Sequence, residues 1–198
     1  MIKFILTLEH GTTVNFCCRQ NMAYINSSTL IINDSDRHCL EAFDITTIAM
    51  KTYAGVCETE GDQLTGHRIE DVRLTYPTSV AFDGSHTLYS SSNGKKSSES
   101  RKIIGIDVTS DVVHEVCDTD GMFSRSLVFV PSAKSLLVVL NHAVGKVDIS
   151  SGEFTVLSGS TTKGKSIGDL RTTGYTNPFS VLQVDASTLL VSDRNNDR

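Results

Sequence analysis

Four segments of the chain repeat one pattern of apolar and polar positions. A stretch rich in β-branched apolar residues precedes Thr or Ser, then Leu, then two further strand-forming residues. The runs are Thr29-Leu30-Ile31-Ile32, Thr87-Leu88-Tyr89-Ser90, Ser135-Leu136-Leu137-Val138 and Thr188-Leu189-Leu190-Val191. Their leucines recur about every 50 residues, the period of a repeated sheet unit. Three copies carry a second mark, an Asp between two apolar residues: Phe43-Asp44-Ile45, Ile106-Asp107-Val108 and Val147-Asp148-Ile149. This is period-two alternation, with the flanking side chains on a buried face. Turn formers follow at Thr46-Thr47, Thr109-Ser110 and Ser150-Ser151-Gly152, and then a last short strand over 50–54, 112–116 and 154–157.

Each unit therefore reads as four short antiparallel strands. One such sheet cannot bury both its faces alone, whereas sheets set radially cover one another. The pattern predicts an all-β fold, a β-propeller of four-stranded antiparallel blades, with about 3.5–4 blades in one domain over 1–198. The blades fall at 22–61, 77–121, 125–164 and 177–198, the last incomplete. Residues 3–8 and 13–16 flank His10-Gly11-Thr12 and read as a hairpin. Residues 1–21 then come from a preceding blade of a larger propeller, six-bladed for example, or from one that closes a four-bladed ring. The larger propeller is the preferred expectation, because four blades is the tight limit.

Several residues resemble the NHL repeat. Pro77-Thr78-Ser79-Val80-Ala81-Phe82-Asp83 followed by Thr87-Leu88-Tyr89 is similar to the start of such a repeat, as is Asn177-Pro178-Phe179-Ser180-Val181 followed by Leu189-Leu190-Val191-Ser192-Asp193. Arg37-His38-Cys39-Leu40 and Asn141-His142 stand at the position that names the family. Tyr53-Ala54-Gly55-Val56-Cys57 looks like the connection between blades in animal members. On this resemblance His38, Asp44, Asp107, His142, Asp148 and Asp193 are repeat-defining structural residues. Two copies depart from the pattern. Ser91-Ser92-Asn93-Gly94-Lys95-Lys96-Ser97-Ser98 replaces the expected Asp and Asn-His, and Leu140 stands where the first and fourth copies have Asp34 and Asp193. The resemblance implies an interaction platform. It also admits a lyase or lactonase-type hydrolase with a metal on the propeller axis.

Composition narrows the function classes. Hydrophobic residues make up 39% and charged residues 21% of the 198, with a net charge of −5. That balance suits a folded domain and gives no overall basic footprint for nucleic acid. No apolar run is long enough to span a membrane as a helix, and the apolar stretch at 1–8 is short for an export signal. The expected partner is thus a protein, with no nucleic acid and no membrane insertion.

Candidate chemistry is sparse. The six histidines show no zinc-protease or zinc-finger spacing. His38 and His142 occupy equivalent repeat positions, which suits a turn residue better than a ring of ligands. The oxygen-rich turns at Asp34, Asp36, Asp193, Asn195, Asn196 and Asp197 have calcium-type chemistry but serve equally for backbone hydrogen bonds. Gly159 with Gly164-Lys165-Ser166 has phosphate-loop spacing but no helix signal after it. The innermost strands begin around Thr78, Ser79, Ser126 and Ser180, with no carboxylate or imidazole there, which counts against an enzyme. No catalytic, metal or cofactor residue is assigned, and no cofactor is expected; calcium or zinc belongs only to the enzyme alternative.

The five cysteines are Cys17, Cys18, Cys39, Cys57 and Cys117. Strand pairing puts Cys39 opposite a residue near Ala54, so a Cys39–Cys57 bridge is a candidate rather than a requirement. If formed, it implies an oxidising compartment. The compartment is otherwise open: extracellular or cell-surface for a piece of a longer protein, cytoplasmic if not. Asn26-Ser27-Ser28 and Asn33-Asp34-Ser35 match the glycosylation pattern, at about the chance frequency for this composition. The loops at 53–76 and 159–177 are the expected variable parts of a contact surface.

Overall fold

A computed structural model describes residues 3–7, 13–17, 19–94, 101–169, 172–185 and 187–196. Cys18, the His10-Gly11-Thr12 turn, Lys95-Lys96-Ser97-Ser98 and the terminal Asp197 and Arg198 lie outside these residues.

The chain is built almost wholly of short antiparallel strands. A hairpin of β1 (Lys3–Thr7) and β2 (Thr13–Cys17) pairs Lys3 with Cys17 and Thr7 with Thr13. The first blade follows as β3 (Arg19–Tyr24), β4 (Thr29–Asp34), β5 (Cys39–Asp44) and β6 (Ala49–Ala54), in that spatial order. The second blade starts with an outlier, β7 (Gly66–His67). Then come β8 (Val80–Phe82), β9 (Thr87–Ser92), β10 (Lys102–Asp107) and β11 (Val112–Asp118). The third is β12 (Ser124–Val130), β13 (Ser135–Leu140), β14 (Ala143–Asp148) and β15 (Phe154–Gly159). Last comes the pair β16 (Pro178–Gln183) and β17 (Leu189–Asp193). A single 3₁₀ turn at Pro131–Ala133 joins β12 to β13.

The sheets stand side by side, with β3, β8, β12 and β16 as neighbouring inner strands. Period two then sorts the side chains. Ile31, Leu40, Leu88, Ile104 and Ile106 bury themselves between the first and second blades. Tyr89, Ile103, Leu136 and Val138 fill the space between the second and third. Leu137, Val139, Val144 and Val181 fill that between the third blade and the last hairpin. Alternate residues of one strand thus serve different cores, as the radial arrangement requires.

The long loop after β6 is not a free contact loop. Leu64, Val72 and Leu74 are buried in the first inter-blade core. β7 adds to the outer edge of the second blade through Val112–His67 and Val113–Gly66. Arg68 locks the loop down, with its Nε 2.6 Å from Asp111 Oδ1 and its guanidinium over the Tyr53 ring. The sequence shows alternation only within longer runs, so a two-residue strand leaves no trace in it.

Candidate functional site

A meander has two ends. The turns joining first to second and third to fourth strands share one rim. The second-to-third turns and the links between blades share the other.

The first rim is closed by its own hydrogen bonds. Asp44 Oδ1 accepts from the Thr46 and Thr47 N–H groups and the Thr46 hydroxyl. Asp107 does the same with Thr109 and Ser110, and Asp148 with Ser150 and Ser151. At the earlier turn of the first, second and last units Asn26, Asp83 and Asp185 play the same part. These side chains are turn locks, which is why Asp recurs with Thr or Ser two residues later.

The Thr46 hydroxyl and the two amides hold the Asp44 carboxyl down at about 2. The Thr109 hydroxyl foremost lowers Asp107, and the Ser150 hydroxyl foremost lowers Asp148. A lowered folded-state value stabilises above the unfolded carboxyl range, near pH 4, and that contribution disappears as pH falls towards about 2. Denaturant midpoints are expected to fall steadily across this window, and Asp107→Asn should flatten part of the slope. A midpoint indifferent to pH there would contradict the turn assignment.

The second rim holds the remaining repeat residues. The buried Asp193 carboxylate accepts the Thr176 and Asn177 N–H groups, pinning the link that enters its own blade. His38 is buried with a left-handed backbone, and its Nδ1 accepts the Tyr76 N–H at 3.2 Å. His142, its sequence equivalent, is half-buried, and its Nδ1 has no hydrogen-bond partner. The two histidines therefore sit in different surroundings. Among the described residues no three His, Cys, Asp or Glu side chains are placed to hold a metal.

Asparagines tie successive blades at this rim. Asn33 accepts the Asn21 N–H and donates to the Pro77 carbonyl, where the second blade begins. It is fully buried, so its sequon is inaccessible in the folded chain. Asn93 accepts the Ser124 N–H at 2.8 Å and donates to the Ser124 carbonyl at 3.1 Å and the Thr78 hydroxyl at 2.7 Å. Ser91 Oγ accepts from the Thr78 and Ser79 N–H groups in the same buried network. The Thr78 hydroxyl reaches the Ser124 carbonyl of the next blade, while Ser79 is bound to Ser91 of its own. Asn141 follows Leu136 at the spacing by which Asn93 follows Leu88, yet its Oδ1 is buried without a partner. Strand register makes Pro178 the counterpart of Ser124, and proline has no N–H to give.

The Cys39–Cys57 disulfide closes the same rim, with Cα atoms 5.0 Å apart. β5 ends its pairing at Leu40–Ala54. Gly55, at φ 80°, turns the chain so that Cys57 comes back over Cys39. Cys117 is a free thiol that burial pushes up to about 12, which favours its protonated form at neutral pH.

Three arginines lie beside these links. Arg101 and Arg125 place their guanidiniums 5.6 and 5.8 Å from the centre of the Phe123 ring. Arg125 is the extra residue of a bulge in β12, between Ser124 and Ser126, and bulges re-aim side chains. Burial first, and the nearby Arg194 charge second, lower its pKa. A recess of about 210 Å³ contains Arg101, Phe123, Asn141 and His142, and Asp120 also lines it. A second, of about 670 Å³, contains Arg194, Lys163, Lys165 and Thr176. The link bearing Gly164-Lys165-Ser166 forms no helix among its described residues, so it is not a phosphate loop.

No protein family matches the chain by sequence, and no curated protein does. Solved structures do match in fold. The nidogen/laminin complex matches with a TM-score of 0.64 at 15% identity, covering 94% of this chain and 62% of that one. Virginiamycin B lyase from Staphylococcus aureus matches at 0.64 and 11% identity, covering 96% and 56%. An auxiliary nutrient binding protein from Bacteroides ovatus matches at 0.53 and 13%, covering 89% and 53%. The fold is a β-propeller, and the chain spans roughly three fifths or less of the length of these neighbours. Identities this low carry the fold alone.

The sequence reading placed the inner-strand starts at Thr78, Ser79, Ser126 and Ser180 and passed over Arg125, one residue before Ser126. Arg101, Arg125 and Arg194 are far apart in sequence and carry no motif. The available signal was Arg125 at the first residues of a predicted inner strand, where a cation has no ordinary packing role.

Proposed function

We propose that the chain is a non-catalytic, NHL-like propeller that binds a protein partner at the rim carrying the inter-blade links. The observation that supports this is the difference between the rims. The turn rim spends its polar atoms on its own backbone. The link rim carries open recesses, unpartnered polar atoms at Asn141, His142 and Arg125, and the exposed link over 160–169. The NHL relationship rests on the motifs around Pro77, His38 and Asn177. The domain limits follow the repeat: blades at 22–61, 77–121, 125–164 and 177–198, the last incomplete, with the hairpin ahead of β3 supplied to a preceding or closing blade. The Cys39–Cys57 bridge favours an oxidising compartment and hence an extracellular or cell-surface site.

The lyase alternative needs general acid and base groups near the axis. Here Thr78 and Ser79, just before β8, are engaged by the Ser91 hydroxyl of their own blade, and Asn93, just after β9, is engaged by Thr78 and by Ser124 of the next blade.

The test compares two variants in capturing and then rebinding a purified extracellular partner. One replaces 160–169 with a Gly/Ser stretch; the other replaces the exposed turn residues Thr47, Ser110 and Ser151 with lysine. Binding lost only in the first supports the link rim. Binding lost only in the second contradicts it.

A further inference from the structure

We infer that Arg101, Arg125 and Arg194 form a docking surface for a short acidic segment of a protein partner, an inference that rests on the link-rim reading above.

Arg125 carries the argument. Its Nε is buried and has no hydrogen-bond partner. The side chain as a whole is half-buried, and a donor buried within it is normally satisfied. Arg194 stands close enough to act on Arg125 electrostatically, and like charges brought together are unfavourable. Arg101 spends donors on the Asn93 and Gly121 carbonyls, which leaves its charge uncompensated. Among the described residues no carboxylate lies within ion-pair distance of any of the three. Asp120 lines the smaller recess without pairing to Arg101. Three uncompensated guanidiniums in a chain of net charge −5 are relieved by a carboxylate from outside. Planar guanidinium forks match carboxylates bidentately.

The details favour a peptide over nucleic acid. The row is short, and the chain as a whole repels a polyanion. The Phe123 ring already has the Arg101 and Arg125 guanidiniums beside it, and they compete with a base for stacking. The bulge at Arg125 breaks the regular pairing of β12 and turns this one inner-strand residue out of the ladder.

Calorimetric titration of the 198-residue chain tests this, with a short oligoglutamate peptide as probe and inorganic phosphate and a single-stranded oligonucleotide as comparison arms. The peptide is expected to bind, more weakly as salt rises. Arg125→Leu and Arg194→Ala should each lower its affinity about tenfold, the scale of one lost charge-assisted contact. Arg125→Leu should leave the denaturant midpoint unchanged or raised, since it removes an unsatisfied donor, whereas a structural arginine would lower it. Arg194 is exposed, so its variant keeps the test open if Arg125→Leu fails to fold. No peptide binding, equal binding by the variants, or arginine-dependent binding of the oligonucleotide or phosphate in preference to the peptide would overturn the inference. A partner that still needs 160–169 but ignores Arg125→Leu would sink the acidic-segment inference and keep the link-rim reading. A partner lost only on changing the turn rim would remove both.

Discussion

Asn93→Ala is expected to destabilise the chain by about 3 kcal/mol, because it strands the buried Ser124 N–H and carbonyl together with the Thr78 hydroxyl. These groups lie at the seam between the second and third blades, where no water replaces the lost amide cheaply. Asn141→Ala is the matched control. Its side chain holds the same repeat position, but its carbonyl oxygen bonds nothing, so its loss should cost well under about 1 kcal/mol. Urea unfolding of the two variants beside the parent measures both. Equal costs would mean that the asparagine clasp between blades is not what ties them.

Loss of the Cys39–Cys57 bridge is the other large effect. It closes a loop with a sequence separation of 18, worth about 3 kcal/mol on the chain-entropy account. Cys57→Ser should show most of that loss. Cys39→Ala should cost somewhat more, because Cys39 is fully buried in β5 and its removal also opens space. The non-reduced digest should contain the two cysteines in one linked peptide, and reductant should lower the parent's midpoint to that of Cys57→Ser. A midpoint insensitive to reductant would show that the bridge contributes nothing to the fold.

The sheet architecture was legible because each blade repeats two local rules. A leucine-led run makes the second strand. An Asp with Thr or Ser two residues later closes the turn after the third, and the hydrogen bonds at Asp44, Asp107 and Asp148 are the physical content of that rule. The candidate disulfide was legible from strand pairing, which sets Leu40, next to Cys39, opposite Ala54.

The rest was hidden because it depends on contacts across long separations. Asn93 reaches Ser124, and Arg68 reaches Asp111. The loop over 53–76 reads as variable surface, yet Leu64, Val72 and Leu74 sink into the core between blades. Asn33 reads as a glycosylation acceptor until Pro77 is brought against it. The arginine row is assembled from two turns and the bulge of β12, and the overall net charge points the other way.

The most direct test of the account is hydrogen exchange on the intact chain with and without a saturating oligoglutamate peptide. It predicts slowed exchange at 121–125, 141–142 and 194–196 on the link rim, with 44–47, 107–110 and 148–151 unchanged. Protection confined to those turns, or no protection anywhere, would contradict it.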